Sequence, residues 1–107
     1  MNDVSNSFEC FFKEAPTQSG AWMEAVQKIS KASALDRKTE AIAYISVLAA
    51  VGLVSGIPFH VKEAKALGAA RDEIISAVLL PLPAVGNNCV AALPVALAAY
   101  DAQEVVN

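Results

Sequence analysis

The chain has 107 residues, of which 55% are hydrophobic and 18% are charged, and its net charge is −3. This length predicts one domain over residues 1–107, and the negative charge disfavours a nucleic-acid partner because no basic stripe neutralises phosphates. Soluble domains average ~45–50% apolar and ~25% charged residues. The surplus apolar side chains therefore need a cover, which a subunit interface or a membrane would provide.

The first two predicted helices lie before residue 33. Residues 5–15 form a short segment rich in phenylalanine that Pro16 ends, and Ser19 is expected to cap the following helix. In that helix, apolar side chains recur at steps of three and four residues: Trp22, Ala25, Val26 and Ile29. The pattern predicts a surface helix with one apolar side.

A third helix is expected to begin after Asp36, a good N-cap residue, and to run to about Leu53. After Ala41 this segment is apolar on every side. Such a helix is either central in the domain or sandwiched between subunits.

Two further helices follow, separated by glycine and proline. Pro58 suits the first turn of a fourth helix, and Gly68 is expected to end it. A fifth begins near Arg71 and is broken at Pro81.

The last predicted helical stretch covers residues 85–103, with a kink or restart at Pro94. Asn87 and Asn88 are expected to cap it. Because no segment shows the alternation of a strand, the fold class is all-α with about six helices.

Residues 41–59 and 74–100 carry no charge, and ~18–20 apolar residues can cross a bilayer. Both stretches are rich in alanine, which inserts weakly, and the second contains prolines and asparagines. We therefore expect no membrane contact and interpret these stretches as buried helices of a homo-oligomer. The N-terminus shows no signal peptide, and the distant Cys10 and Cys89 suit a reducing cytoplasm.

Residues 35–79, LDRKTEAIAYISVLAAVGLVSGIPFHVKEAKALGAARDEIISAVL, resemble the core of the carboxymuconolactone decarboxylase family, which includes alkylhydroperoxidase D-type proteins. The matching residues are Leu35, Asp36, Lys38, Thr39, His60, Gly68, Glu73 and Ile74, and the later LPAVGNN is similar to the turn that follows. The resemblance implies an alkylhydroperoxidase D-like helical bundle that assembles as a homo-trimer or homo-hexamer.

The chain departs from the redox pattern of that family. Counted back from His60, its two cysteine positions hold Leu53 and Gly56 and its glutamate position holds Ala41, with Glu40 one residue off. A dithiol cycle needs an activated thiolate and a resolving cysteine. Peroxidase activity is therefore not expected. The decarboxylase branch keeps the His without the cysteine pair, but it also keeps the Glu and a second His.

His60, the only histidine, occupies the position of the family's catalytic imidazole. It is either a general acid/base or a structural residue bonded to Glu63. Further candidates for substrate binding are Tyr44, Lys62, Asn87, Asn88 and Cys89. Each has a simpler interpretation: packing for Tyr44, a solvated charge for Lys62, a helix cap for the asparagines, and a small buried hydrophobe for Cys89.

Two functions follow from these residues. The first is an enzyme that uses His60 in non-redox chemistry, decarboxylation or a lactone or acyl reaction, on a small carboxylate or lactone. The second is a catalytically degenerate oligomer that serves as a binding or scaffold protein. We expect no cofactor and no metal, because one histidine without clustered ligands leaves the ligand count short.

Overall fold

The computed structural model describes residues 5–103, and this part of the chain contains helices and turns and no strand. The α-helices are α1 (Asn6–Glu14), α2 (Pro16–Ala32), α3 (Arg37–Val51), α4 (Ile57–Ala66), α5 (Arg71–Leu79), α6 (Leu82–Val85) and α7 (Ala92–Asp101). Two 3₁₀ turns, Val54–Gly56 and Gly86–Cys89, connect them. Since α6 is a single turn, the prediction of an all-α fold with about six helices is confirmed.

The ends of the central helices lie where their residues predict. Asp36 is the N-cap of α3, and its Oδ1 accepts the Thr39 N–H at 2.7 Å. This bond lowers the pKa of the Asp36 carboxyl. Pro58 stands in the first turn of α4, and Gly68 adopts φ +99° just beyond its end. A left-handed residue of this kind stops a helix, and glycine adopts it at little cost.

Two expected caps are wrong. α2 begins at Pro16, because proline lacks the N–H that a first helical position leaves unpaired. Ser19 lies inside this helix, where its hydroxyl donates to the Pro16 carbonyl at 3.3 Å. Likewise, Asn87 and Asn88 belong to the 3₁₀ turn and do not cap the last helix, which starts at Ala92.

Pro94 causes a restart of the helix rather than a kink. It is the third residue of α7, in the first turn, where an intrahelical N–H bond is not required.

Helices α3, α4, α5 and α7 form the bundle, in which α3 and α7 each pack against both α4 and α5. Its core is dominated by alanine and β-branched residues: Ala41, Ile45, Leu48, Ala49, Ile57, Val61, Ala64, Ala69, Ile74, Ala77, Val78, Cys89, Ala92, Ala96 and Ala99. Polar contacts join the helices, since Ser46 Oγ donates to the Ala77 carbonyl at 2.7 Å. Most of these side chains are small, so the core of this short chain is built from many small buried residues.

Helices α1 and α2 form a separate structure that we call the arm. They pack against each other, and the rings of Phe8, Phe11 and Phe12 contact one another on α1. Ser19 is the one buried residue of the two helices. The arm therefore adds little to the core.

Among the described residues, no helix combines the length and the hydropathy needed to cross a membrane.

Candidate functional site

His60 lies in the first turns of α4, beside the bundle core rather than inside it. Its neighbours Ile57 and Val61 are fully buried in that core. The imidazole instead contacts two aromatic rings: Tyr44 of α3, with ring centroids 4.5 Å apart, and Phe59, at 5.2 Å. The structure thus places Tyr44, a predicted substrate-binding residue, directly against His60.

The imidazole is partly shielded from water and has one acidic neighbour. Its side chain is 28% exposed, and its Nδ1 lies 3.7 Å from Oε1 of Glu63. That distance is longer than a hydrogen bond and allows an ion pair only when the ring is protonated. Burial lowers the pKa of His60 below its ordinary value of 6.5, and the Glu63 carboxylate opposes this effect. At neutral pH the ring is therefore mainly uncharged and able to accept a proton.

An exposed apolar surface extends from His60 along α3. We call it the Tyr44 face; it consists of Tyr44, Val47, Val51 and Phe59, which are 46%, 53%, 60% and 45% exposed. The three α3 residues share one side of the helix because they are spaced by three and four positions. Sequence reasoning missed Val47 and Val51, although that spacing within a charge-free stretch is a signal for such a surface.

The other predicted site residues take separate positions. Asn88 Nδ2 donates to the Ala50 carbonyl at 3.1 Å, so it holds the second 3₁₀ turn against the end of α3. Asn87 lies on the same turn and is exposed. Cys89 is fully buried, and its thiol lies 3.7 Å from the Gly86 carbonyl. Lys62 is exposed on α4, two residues after His60.

Two of the three positions to which the family resemblance assigns redox groups, Ala41 and Gly56, hold residues that pack inside the bundle, while the third, Leu53, is exposed. Ala41 belongs to the core, and Gly56 faces Leu48, whose Cδ1 would lie 3.6 Å from an added Cβ. Glu40 accepts a hydrogen bond from Ser30 Oγ at 2.9 Å. This carboxylate is therefore engaged with the arm.

A groove that the sequence did not predict lies on another side of α3, against α5. Its volume is about 470 Å³, and it is lined by Thr39, Ile42, Ala43, Ser46, Asp72, Glu73, Ser76, Ala77 and Leu80. His60 is not part of its lining. Small polar residues within otherwise apolar helices are the sequence signal from which this groove could have been predicted. In the described part of the chain, no three His, Cys, Asp or Glu side chains cluster as metal ligands would.

Comparison with known proteins agrees with this fold. Searches of curated proteins and of solved structures give no significant match. The model of the family described as "Carboxymuconolactone decarboxylase family" matches residues 18–98, which include α3, α4, α5 and most of α7. The match covers well over half of the chain, and so the chain belongs to the carboxymuconolactone decarboxylase family.

Proposed function

We propose that this protein is a cytoplasmic homo-oligomeric enzyme that uses His60 as a general acid/base in non-redox chemistry on a small carboxylate or lactone. The observation that carries the proposal is the position of His60: a half-shielded imidazole between Tyr44 and Phe59, with its pKa lowered by burial. Leu53 and Gly56 replace the thiols of the redox branch. Peroxidase chemistry is therefore not proposed.

The substrate itself would set the protonation state of the imidazole. A bound carboxylate within about 4–6 Å favours the imidazolium and raises its pKa. In a decarboxylation the carbon–carbon bond to the carboxylate breaks and CO2 leaves. The electron pair of the broken bond stays on the substrate and forms an enolate. The imidazolium then donates its proton to carbon and regains one from water. Lys62, on the same helix as His60, is our candidate for holding the carboxylate.

A neutral lactone would use the imidazole in the opposite order. Uncharged His60 accepts a proton from the carbon next to the carbonyl, and the C–H electron pair forms the enolate. In an unsaturated lactone the imidazolium then donates this proton to the far carbon of the conjugated enolate, so that the double bond shifts. Tyr44 and Phe59 supply an apolar wall for either substrate.

The alternative is a catalytically degenerate binding or scaffold oligomer. Two observations favour it: Ala41 offers no carboxylate, and Glu40 is engaged with Ser30. Against it, His60 stays partly open to solvent, with its side chain 28% exposed, and Leu53 and Phe59 are themselves 56% and 45% exposed rather than buried in a collapsed site.

Proton NMR distinguishes the two functions, because the chain has one histidine and its ring signals need no assignment. Without ligand, we expect His60 to titrate below 6.5. Carboxymuconolactone should raise this pKa, and the matching uncharged ester should not. The His60→Gln variant should abolish turnover and ligand-induced thermal stabilisation, while its melting temperature changes little.

The matched control is Lys31→Gln, on the arm, which should bind and react as the wild type does. A scaffold role predicts no ligand effect on the His60 titration and a clear loss of stability in His60→Gln. That result would overturn the catalytic proposal.

A further inference from the structure

The apolar side of α2 is only partly covered by the rest of the chain that the structure describes. Trp22, Val26 and Ile29 lie on one side of the helix and are 50%, 38% and 71% exposed. The charged residues of α2, Glu24, Lys28 and Lys31, lie on the other sides. We call the three apolar residues the arm stripe. An exposed apolar surface of this kind marks an interaction site.

Three exposed surfaces of the described chain could receive the stripe: the groove between α3 and α5, the Tyr44 face, and a patch around α6 formed by Leu82, Val85 and Val90. The groove between α3 and α5 carries Asp72 and Glu73 on its lining, and burying these carboxylates under apolar side chains would be costly. The Tyr44 face has no charged member, and residues 41–59 contain no charge at all. The lack of charge therefore favours the Tyr44 face over the groove. The patch around α6 is also uncharged, but the hydrogen bond from Ser30 to Glu40 brings the arm to α3, beside the Tyr44 face.

The hydrogen bond between Ser30 and Glu40 shows where the arm lies relative to the Tyr44 face. Ser30, near the end of α2, bonds to Glu40, which precedes Tyr44 by one helical turn and lies on the same side of α3 as Tyr44, Val47 and Val51. Each arm thus meets its own chain at the beginning of the Tyr44 face. The rest of that face stays exposed in the single chain and is accessible to another copy.

We propose that the arm stripe of one copy packs on the Tyr44 face of a second copy, and that the second copy packs reciprocally on the first. This deepens the proposed self-association and depends on it, but it does not require His60 to be catalytic. A two-fold pair uses the same surfaces on both copies. Complete burial of the exposed parts of the stripe and the face would remove on the order of 600 Å² per copy from water, most of the ~800 Å² of a standard stable interface.

The arrangement makes the His60 site incomplete in one chain. Tyr44 and Phe59 contact the imidazole from their own chain, and the arm stripe of the second copy would close the side that faces solvent. Trp22, the only tryptophan, then becomes a reporter of docking. Its fluorescence should be blue-shifted in the assembly and red-shifted once the assembly is broken.

The first test compares two charge insertions at exposed positions, which leave the core intact. Val47→Glu, on the Tyr44 face, should lower the mass in light scattering towards 11.2 kDa and red-shift the Trp22 emission. The matched control Ser76→Glu, in the groove, should change neither. If Ser76→Glu dissociates the protein and Val47→Glu does not, the proposal is wrong.

The second test identifies the docking mode by cross-linking in a Cys10→Ser background, which removes the exposed native thiol. Val26→Cys chains carrying one tag are mixed with Val47→Cys chains carrying another and treated with a short bis-maleimide. We expect a product containing both tags. Two results would overturn the docking mode while leaving self-association intact. One is a cross-link between two Val26→Cys chains, and the other is a cross-link between Val26→Cys and Ser76→Cys chains when the latter replace Val47→Cys in the mixture. A wild-type mass of 11.2 kDa would overturn both.

Discussion

The arm and the bundle are both helical, but they reach that state by different means. In the bundle each long helix contributes fully buried residues, such as Ile45, Ile57 and Ile74. In the arm only Ser19 is buried, although α2 is the longest helix of the described chain. Since isolated helices of this length are marginal in water, the arm depends on contacts between α1 and α2 and on whatever covers its apolar stripe. Helical pattern alone therefore does not show where a core lies.

The largest expected difference comes from removing an isoleucine in each region. Ile74→Ala leaves a cavity in the core and should cost about 2–5 kcal/mol of unfolding free energy. Ile29→Ala removes a side chain that is 71% exposed in the single chain, so its cost should come from the interface alone. Denaturation at several protein concentrations measures both.

The contrast between arm and bundle is tested by whether each loss of unfolding free energy depends on protein concentration. The loss in Ile29→Ala should change with dilution, because an interface contributes to stability by mass action. The loss in Ile74→Ala should stay the same. An equal, concentration-independent loss in both variants would mean that the arm belongs to the core.

Replacing glycine by alanine should have a smaller effect on stability, and the effect should have opposite signs in the bundle and in the arm. Gly68, at φ +99°, ends α4, and Gly68→Ala should cost on the order of 1–2 kcal/mol because a side chain is strained in the left-handed region. Gly20 lies inside α2 with no atom within 4 Å of an added Cβ. Gly20→Ala should therefore stabilise the arm by roughly 0.5–1 kcal/mol. Thermal melts of both variants check the two signs, and a stabilised Gly68→Ala would contradict the left-handed end of α4.

The smallest predicted effect is the loss of stability in acid that Asp36 causes, where the arm joins the bundle. The hydrogen bond from the Thr39 N–H lowers the folded-state pKa of Asp36. Its stabilisation is therefore complete above the unfolded pKa and is lost as the pH falls through the lower folded value. Asp36→Asn keeps an acceptor for the cap but does not titrate. Between about pH 5 and pH 2 the Asp36→Asn variant should lose less stability than the wild type. Parallel curves of unfolding free energy against pH for the two proteins would show that the cap contributes nothing.

Several parts of the site could be predicted from the sequence because they depend on local chemistry. The spacing from Asp36 to His60 and Gly68 indicated the family. The i+3 position of Glu63 indicated its approach to His60. Asn88 was placed less well, since its bond to the Ala50 carbonyl joins residues 38 positions apart, and no local pattern reports such a contact.

The sequence by itself determined the helical class, the bounds of α3, α4 and α5, and the absence of the cysteine pair beside His60, because caps, prolines, glycines and counted spacings act over a few residues. The tertiary structure decided which apolar residues are buried. Ile45 and Val47 look alike in the charge-free stretch, yet one is fully buried and the other is 53% exposed. Only the packing of α4 and α5 against α3 distinguishes the core side of that helix from the side left for another partner.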